Sequence, residues 1–268
     1  MKGIQRTTYR LGNSNYLCFN APPMPLEMNI AQAHQSTLDA YKWREKSMLD
    51  GPKLWRLRAE IVKRTVPEAV WPFLRKEGFT FPESVRVLDL GCGEGYKNDA
   101  IVRMITAYDR RATIKKIDIH GIDLRQPKKI IGPRDRRAEF TYAQLAAEDI
   151  GNNFDPESFD LITGIAMHHH LHPQSIVDVP NQVMTLLKPN GIHVVADNFF
   201  WDGNKLEQQL SRRWIKFYQW LEGGGFYNEC TCKYATEKSH EAGFRILGTF
   251  HTPLFVEGFV GRKGNSVC

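Results

Sequence analysis

Between residues 84 and 197, short apolar runs alternate with stretches of helical period, and this alternation leaves few folds open to the chain. The run 84–90 (SVRVLDL) reads as a buried strand, and 117–124 (IDIHGIDL), 138–144, 159–165 (FDLITGI) and 191–197 (GIHVVAD) read likewise. Ile101, Met104 and Ile105 share a helix face after the first strand, and a helix over about 174–187 follows the fourth. Strands separated by helices pair in parallel through crossovers, which predicts an α/β fold built of βαβ units. A last helix (about 231–243) and strands at about 244–250 and 254–261 bring the expected total to seven strands.

The flanks have a different texture. Residues 1–35 lack periodicity and contain Pro22, Pro23 and Pro25, so they read as an extended arm. Helices are expected over 36–48, around Leu54, Leu57 and Ile61 after a break at Gly51-Pro52, and over 67–76. The predicted organisation is an N-terminal arm and helical cap over 1–82, then a main domain over 83–268 with a helical lid inserted at 198–228. In that insertion Leu206, Leu210, Trp214, Phe217 and Leu221 form one apolar stripe, closed by Gly223-Gly224-Gly225.

With 42% hydrophobic and 25% charged residues, the chain has the balance of a folded soluble domain rather than a disordered one. No apolar run approaches the roughly 20 residues of a membrane helix, and no secretory signal is evident. Five cysteines in no disulfide spacing point to a reducing, cytoplasmic compartment. The charge of +6 is confined to residues 1–82, which hold 13 Lys and Arg against 7 Asp and Glu. Such a segment suits either a solvated helix surface or an anionic partner such as nucleic acid.

The strongest motif is Asp89-Leu-Gly-Cys-Gly-Glu-Gly95, at the end of the first strand and the start of a helix. Glycines there let a ligand approach the backbone, beyond the carboxyl ends of the strands. The spacing is GxGxG, with Tyr96 and Lys97 where a dinucleotide-binding GxGxxG loop places its last glycine.

VLDLGCGEGY (87–96), the acid Asp123 closing HGIDL, FDLITGIAMHHHLHP (159–173), LLKPNGIHVVAD (186–197) and EAGFRILGTF (241–250) together resemble the class I S-adenosylmethionine (SAM)-dependent methyltransferases. The resemblance spans about residues 80–197 and 231–261. It implies a Rossmann-like, seven-stranded, mostly parallel sheet with a C-terminal antiparallel hairpin strand and a helical cap. It implies SAM as cofactor, with Asp89, Gly91, Cys92, Gly93, Gly95, Asp123, Leu124, Ala147, Glu148 and Gly164 around it. Asp123 falls where the family places an acid on the ribose hydroxyls. The family's acid at the adenine is replaced by Ala146, so backbone at Ala147, or Glu148 itself, is expected to substitute.

His168-His169-His170-Leu171-His172 follows the fourth strand, at the ligand edge of the sheet. A histidine is suited to remove a proton from an acceptor at neutral pH, and His169 falls where plant small-molecule O-methyltransferases place their catalytic histidine. His169 and His170 are the catalytic candidates; the alternative is that the run packs and caps the next helix. A metal held by His168 and His172 lacks a third ligand nearby, so none is expected.

All six tryptophans lie outside the main strands. Tyr41, Trp43, Met167, Phe199, Trp201 and Trp214 are the candidates for an apolar acceptor pocket. The resulting expectation is methyl transfer to a small molecule, at the hydroxyl of an aromatic or lipophilic metabolite. RNA or protein methylation and a non-catalytic SAM-binding module are the alternatives, and the basic N-terminal segment alone favours RNA.

Overall fold

The computed structural model describes residues 9–11, 14–16, 29–46, 51–107, 109, 112–199, 205–221, 228, 230–252 and 256–264. A two-stranded hairpin, β1 (Tyr9–Leu11) and β2 (Ser14–Tyr16), precedes two helices, α1 (Ile30–Lys46) and α2 (Gly51–Lys76). The main sheet then begins with β3 (Ser84–Leu90), α3 (Asn98–Thr106), β4 (Lys116–Asp123) and β5 (Ala138–Gln144). A short helix α4 (Ile150–Asn153), β6 (Phe159–Ile165), α5 (Pro173–Leu186) and β7 (Leu187–Asp197) follow. Helices α6 (Lys205–Leu221) and α7 (Cys232–Glu241) and strands β8 (Arg245–Thr252) and β9 (Val256–Arg262) complete the order.

Seven strands form one sheet in the order β5-β4-β3-β6-β7-β9-β8. The first five are parallel, and β9 and β8 are antiparallel additions. This is the expected fold. Helices cover both faces, so the central strands are apolar on both sides. Val85, Val87, Ile117, Ile119, Leu161, Ile192 and Val194 pack toward α2 and α3. Leu88, Leu90, Ile122, Ile162, Val195 and Phe259 pack toward α5 and α7. Strand order reverses between β3 and β6, and an open sheet of this kind holds its ligand in the crevice beyond the carboxyl ends of such a pair.

Three local expectations change. The segment 1–35, read as an extended arm, holds the β1–β2 hairpin and the start of α1, at Ile30 rather than 36. The segments around 54–61 and over 67–76 are one helix, α2, which runs through Pro67 and Pro72. Each proline removes a backbone hydrogen bond. The buried stripe Val62, Val66, Val70 and Leu74 crosses both, so tertiary burial outweighs the local penalty. On α6, Ser211 (3% exposed) and Ile215 (5%) face the body, whereas Leu206 (64%), Leu210 (49%) and Phe217 (46%) of the apolar stripe face outward. Among the described residues no helix is long and apolar enough to cross a membrane.

Candidate active site

The turn after β3 is built on glycines with left-handed backbone, Gly91 at φ +65 and Gly93 at φ +59. A β-carbon at Gly91 would lie 2.5 Å from Met167 Cγ, so this position is closed by packing. At Gly93 the nearest atom would be Arg125 Nη2 at 3.9 Å, so its face is open to a ligand. The turn is tied to the next strand, because Cys92 N donates to Ile122 O (2.8 Å). Asp123 ends β4 beside it: Oδ2 accepts from Gly93 N (2.8 Å) and Oδ1 from Arg125 N (3.1 Å). Each carboxylate oxygen keeps a lone pair for a further donor.

Asp89 lies under the turn, fully buried, and Oδ1 accepts from Thr163 Oγ1 (2.8 Å). Burial raises its pKa, while the Lys97 charge and the Thr163 bond pull it back. Lys97 reaches into the crevice, where Nζ donates to Gly91 O (2.7 Å) and to Ile165 O at the end of β6.

The histidine run forms a 3-10 turn, His168–His170, straight after β6. His169 and Asp197, at the end of β7, are both buried and form a close pair, with Nδ1 to Oδ1 at 2.6 Å. Asp197 also accepts from His169 N (3.0 Å) and Asn198 N (2.7 Å). A carboxylate only accepts, so it holds the imidazole with the proton on Nδ1 and the basic lone pair on Nε2. Asn228 clamps the same turn: its N donates to His169 O (2.7 Å) and its Nδ2 to Leu171 O (3.0 Å). The His170 ring lies 4.0 Å from that of His169, and Tyr41 Oη of α1 is 3.5 Å from His170 Nε2. Arg125 stacks on the Tyr41 ring at 4.4 Å. One helix, α1, therefore touches both the Asp123 side and the histidine side of the crevice.

A family model described as "Methyltransferase domain" matches residues 87–191. Over residues 87–191 the chain carries a SAM-dependent methyltransferase domain. SAM is its cofactor. The fold is shared with the Burkholderia thailandensis 1,6-didemethyltoxoflavin-N1-methyltransferase, solved with 1,6-didemethyltoxoflavin and S-adenosylhomocysteine (TM-score 0.54, 17% identity, 96% of this chain and 99% of that one). It is shared as well with an O-methyltransferase family protein from the same organism (TM-score 0.52, 15% identity, 80% of this chain and 57% of that one). No curated protein matches the sequence itself.

The methyltransferase domain gathers Asp89, Gly91, Cys92, Gly93, Gly95, Asp123 and Leu124 around the turn. These groups fit SAM: an open backbone face at Gly93, an accepting acid at Asp123, and two carbonyls that already hold an ammonium. Two cofactor candidates are placed otherwise. Glu148 Oε1 accepts from Ser175 Oγ (2.5 Å) and Oε2 pairs with His34 Nε2 of α1 (3.3 Å), so its carboxylate anchors helices instead of facing an adenine. Burial raises the Glu148 pKa, but the bonds from His34 and Ser175 outweigh it and hold it below the usual value. The Glu148 bond raises the pKa of His34 in turn. Gly164 is small for the sake of the His168 ring, whose Cε1 would lie 2.9 Å from a β-carbon there. Ala147 is buried at the start of a 3-10 turn.

In the candidate pocket, Met167 and Phe199 are buried and Phe199 lies 5.9 Å from the His168 ring. Trp214 is half-buried on α6, and its ring meets that of Phe217 (5.9 Å). Trp201 and the side chain of Trp43 lie outside the described residues. His172 caps α5, accepting from Gln174 N (3.2 Å), so it does not share a helix face with His168. Among the described residues no three His, Cys, Asp or Glu gather for a metal. Asp197 and Asn228 were missed by the sequence reading. Asp197 had one usable signal, an acid at the carboxyl end of a central strand; Asn228 had none.

Burial holds His168 neutral, with a pKa lowered to about 4, and His193 of β7 neutral at about 3. Both folded values lie below the unfolded value near 6.5. Their contribution to stability is therefore intact above pH 6.5 and is lost as pH falls, at about 1.4 kcal/mol per unit for each histidine. Both ring nitrogens of His193 have no hydrogen-bond partner among the described residues. His193→Leu should raise the urea midpoint at pH 7, because about 1–3 kcal/mol of unsatisfied burial is removed. It should also roughly halve the histidine-linked loss between pH 6.5 and 4.5. An unchanged acid limb would show that His193 titrates normally.

Proposed function

We propose that this enzyme transfers the methyl group of SAM to a hydroxyl of an aromatic or lipophilic small molecule. The supporting observation is the buried His169–Asp197 pair at the ligand edge of β6 and β7. In this reading Asp123 takes the ribose hydroxyls, the turn from Gly91 to Gly95 borders the methionine tail, and backbone at Leu124 and Ala147 flanks the adenine. SAM supplies an electrophilic methyl group on a sulfonium. His169 Nε2 accepts the acceptor's hydroxyl proton as the oxygen forms its new bond to carbon, and Asp197 stabilises the imidazolium that results. His170 and Tyr41 border the acceptor, with Met167 and Phe199 as its apolar wall. Helix α1, which brings Tyr41 to His170, covers this side of the crevice in this reading. One fold neighbour is the N1-methyltransferase of 1,6-didemethyltoxoflavin and another an O-methyltransferase family protein, which supports a small-molecule acceptor. The absence of a disulfide spacing among the five cysteines supports a cytoplasmic location.

Incubation with methyl-labelled SAM and separate pools of phenolic metabolites, RNA and protein tests the proposal. Label is expected in the phenolic pool as a methyl ether. Label in RNA or protein would overturn the acceptor class, and label on nitrogen would overturn the acceptor atom.

A further inference from the structure

The mechanism above makes no use of Lys97, and its position is unusual for a lysine. It directly precedes α3, and its side chain turns back across the crevice at the point where strand order reverses. Its ammonium donates to Gly91 O (2.7 Å), just past the end of β3, and to Ile165 O, the last residue of β6. Both partners are main-chain carbonyls with no donor of their own to offer. Asp89, fully buried beneath the same turn, has one oxygen, Oδ2, with no hydrogen-bond partner among the described residues. Two accepting carbonyls above a buried carboxylate make a seat for one cation, and an ammonium with three donors is its natural occupant.

SAM carries one ammonium, at the end of its amino-acid tail. On the other side of the turn, Asp123 and the open face of Gly93 suit the ribose end. The two ends of the cofactor therefore face two acceptor clusters, one of which the protein already fills. We propose that Lys97 is a place-holder: in the ligand-free enzyme its ammonium occupies the seat of the cofactor's tail ammonium, and it must leave when the tail enters. Two ammonium groups cannot share the seat, since they would repel at short range and compete for the same two carbonyls. The device keeps the strand ends satisfied and the turn in shape before the cofactor arrives. It also makes the crevice selective, because only a ligand with its own cation replaces what Lys97 gives up. An adenosine compound without the tail leaves Lys97 in place.

Calorimetry with S-adenosylhomocysteine and with 5′-methylthioadenosine, which lacks the amino-acid tail, tests this on the purified protein. Lys97→Met should bind S-adenosylhomocysteine about tenfold more tightly than the unaltered enzyme, about 1.4 kcal/mol, because no competitor has to be displaced. Its affinity for 5′-methylthioadenosine should not change. The ligand-free variant should melt at a lower temperature, and saturating S-adenosylhomocysteine should raise its melting point by more than it does in the unaltered enzyme. Weaker binding of S-adenosylhomocysteine to Lys97→Met would overturn the proposal by showing that Lys97 holds the tail rather than competing with it. Equal changes for both ligands, or none for either, would overturn it too. Should the methionine variant not fold, Lys97→Gln carries the same expectation at smaller size, since a neutral amide competes less well with an ammonium.

Discussion

His169→Ala lowers kcat by about 10²–10⁴-fold, the usual worth of a positioned general base, while S-adenosylhomocysteine still binds. The expectation follows from the tautomer that Asp197 imposes. Its carboxylate accepts from both the ring Nδ1 and the main-chain N of His169, so ring and backbone are each held by one bond and the basic ring nitrogen is Nε2. Asp197→Asn should cost nearly as much. Both carboxylate oxygens receive N–H groups, so an amide must set its own NH₂ against a donor on one side. Where that side is the ring, the proton moves to Nε2 and the base is lost. Initial rates against pH check both variants, and the limb rising with pH should disappear in His169→Ala. Full turnover in His169→Ala, with loss only in His170→Ala, would move the base to His170. Full turnover in both would leave proximity and desolvation as the source of the rate.

Asp123→Ala should weaken S-adenosylhomocysteine by about 10²–10⁴-fold, from two charge-assisted bonds to the ribose at about 1.5–3 kcal/mol each. The same carboxylate receives the N–H groups of Gly93 and Arg125, so its loss also loosens the turn that borders the ligand. Asp123→Asn, which keeps one accepting oxygen, should fall between the two. Calorimetry measures the affinities, and circular dichroism shows whether the fold persists. Unchanged affinity in Asp123→Ala would remove this residue from the cofactor site.

Strand periodicity placed three strands of the sheet, 84–90, 138–144 and 159–165, at their observed bounds. These segments are short and are bounded by turns or by polar residues, so local pattern alone defines them. The glycine turn was legible for a similar reason, since left-handed backbone at Gly91 and Gly93 demands residues without a β-carbon. The helix boundaries near Pro67 were not legible, because the local cost of proline was outweighed by burial of Val62, Val66, Val70 and Leu74 against elements distant in sequence.

The outward orientation of the α6 stripe was hidden in the same way. Periodicity shows that Leu206, Leu210 and Phe217 share a face but not which way the face points. The candidate base was readable from its place after a strand. What prepares it was not: Asp197 lies 28 residues from His169, and Asn228 lies 57 from Leu171. Lys97 and Glu148 behave alike, since each is bound to a group distant in sequence, Ile165 and His34. By itself the sequence determined the alternating α/β architecture, the glycine turn and the chemistry available beside it, because these depend on neighbours within a few residues. Tertiary structure alone decided which histidine is paired, which acid is spent on packing and which cation fills the crevice, because hydrogen bonds between strand ends depend on register and not on local sequence.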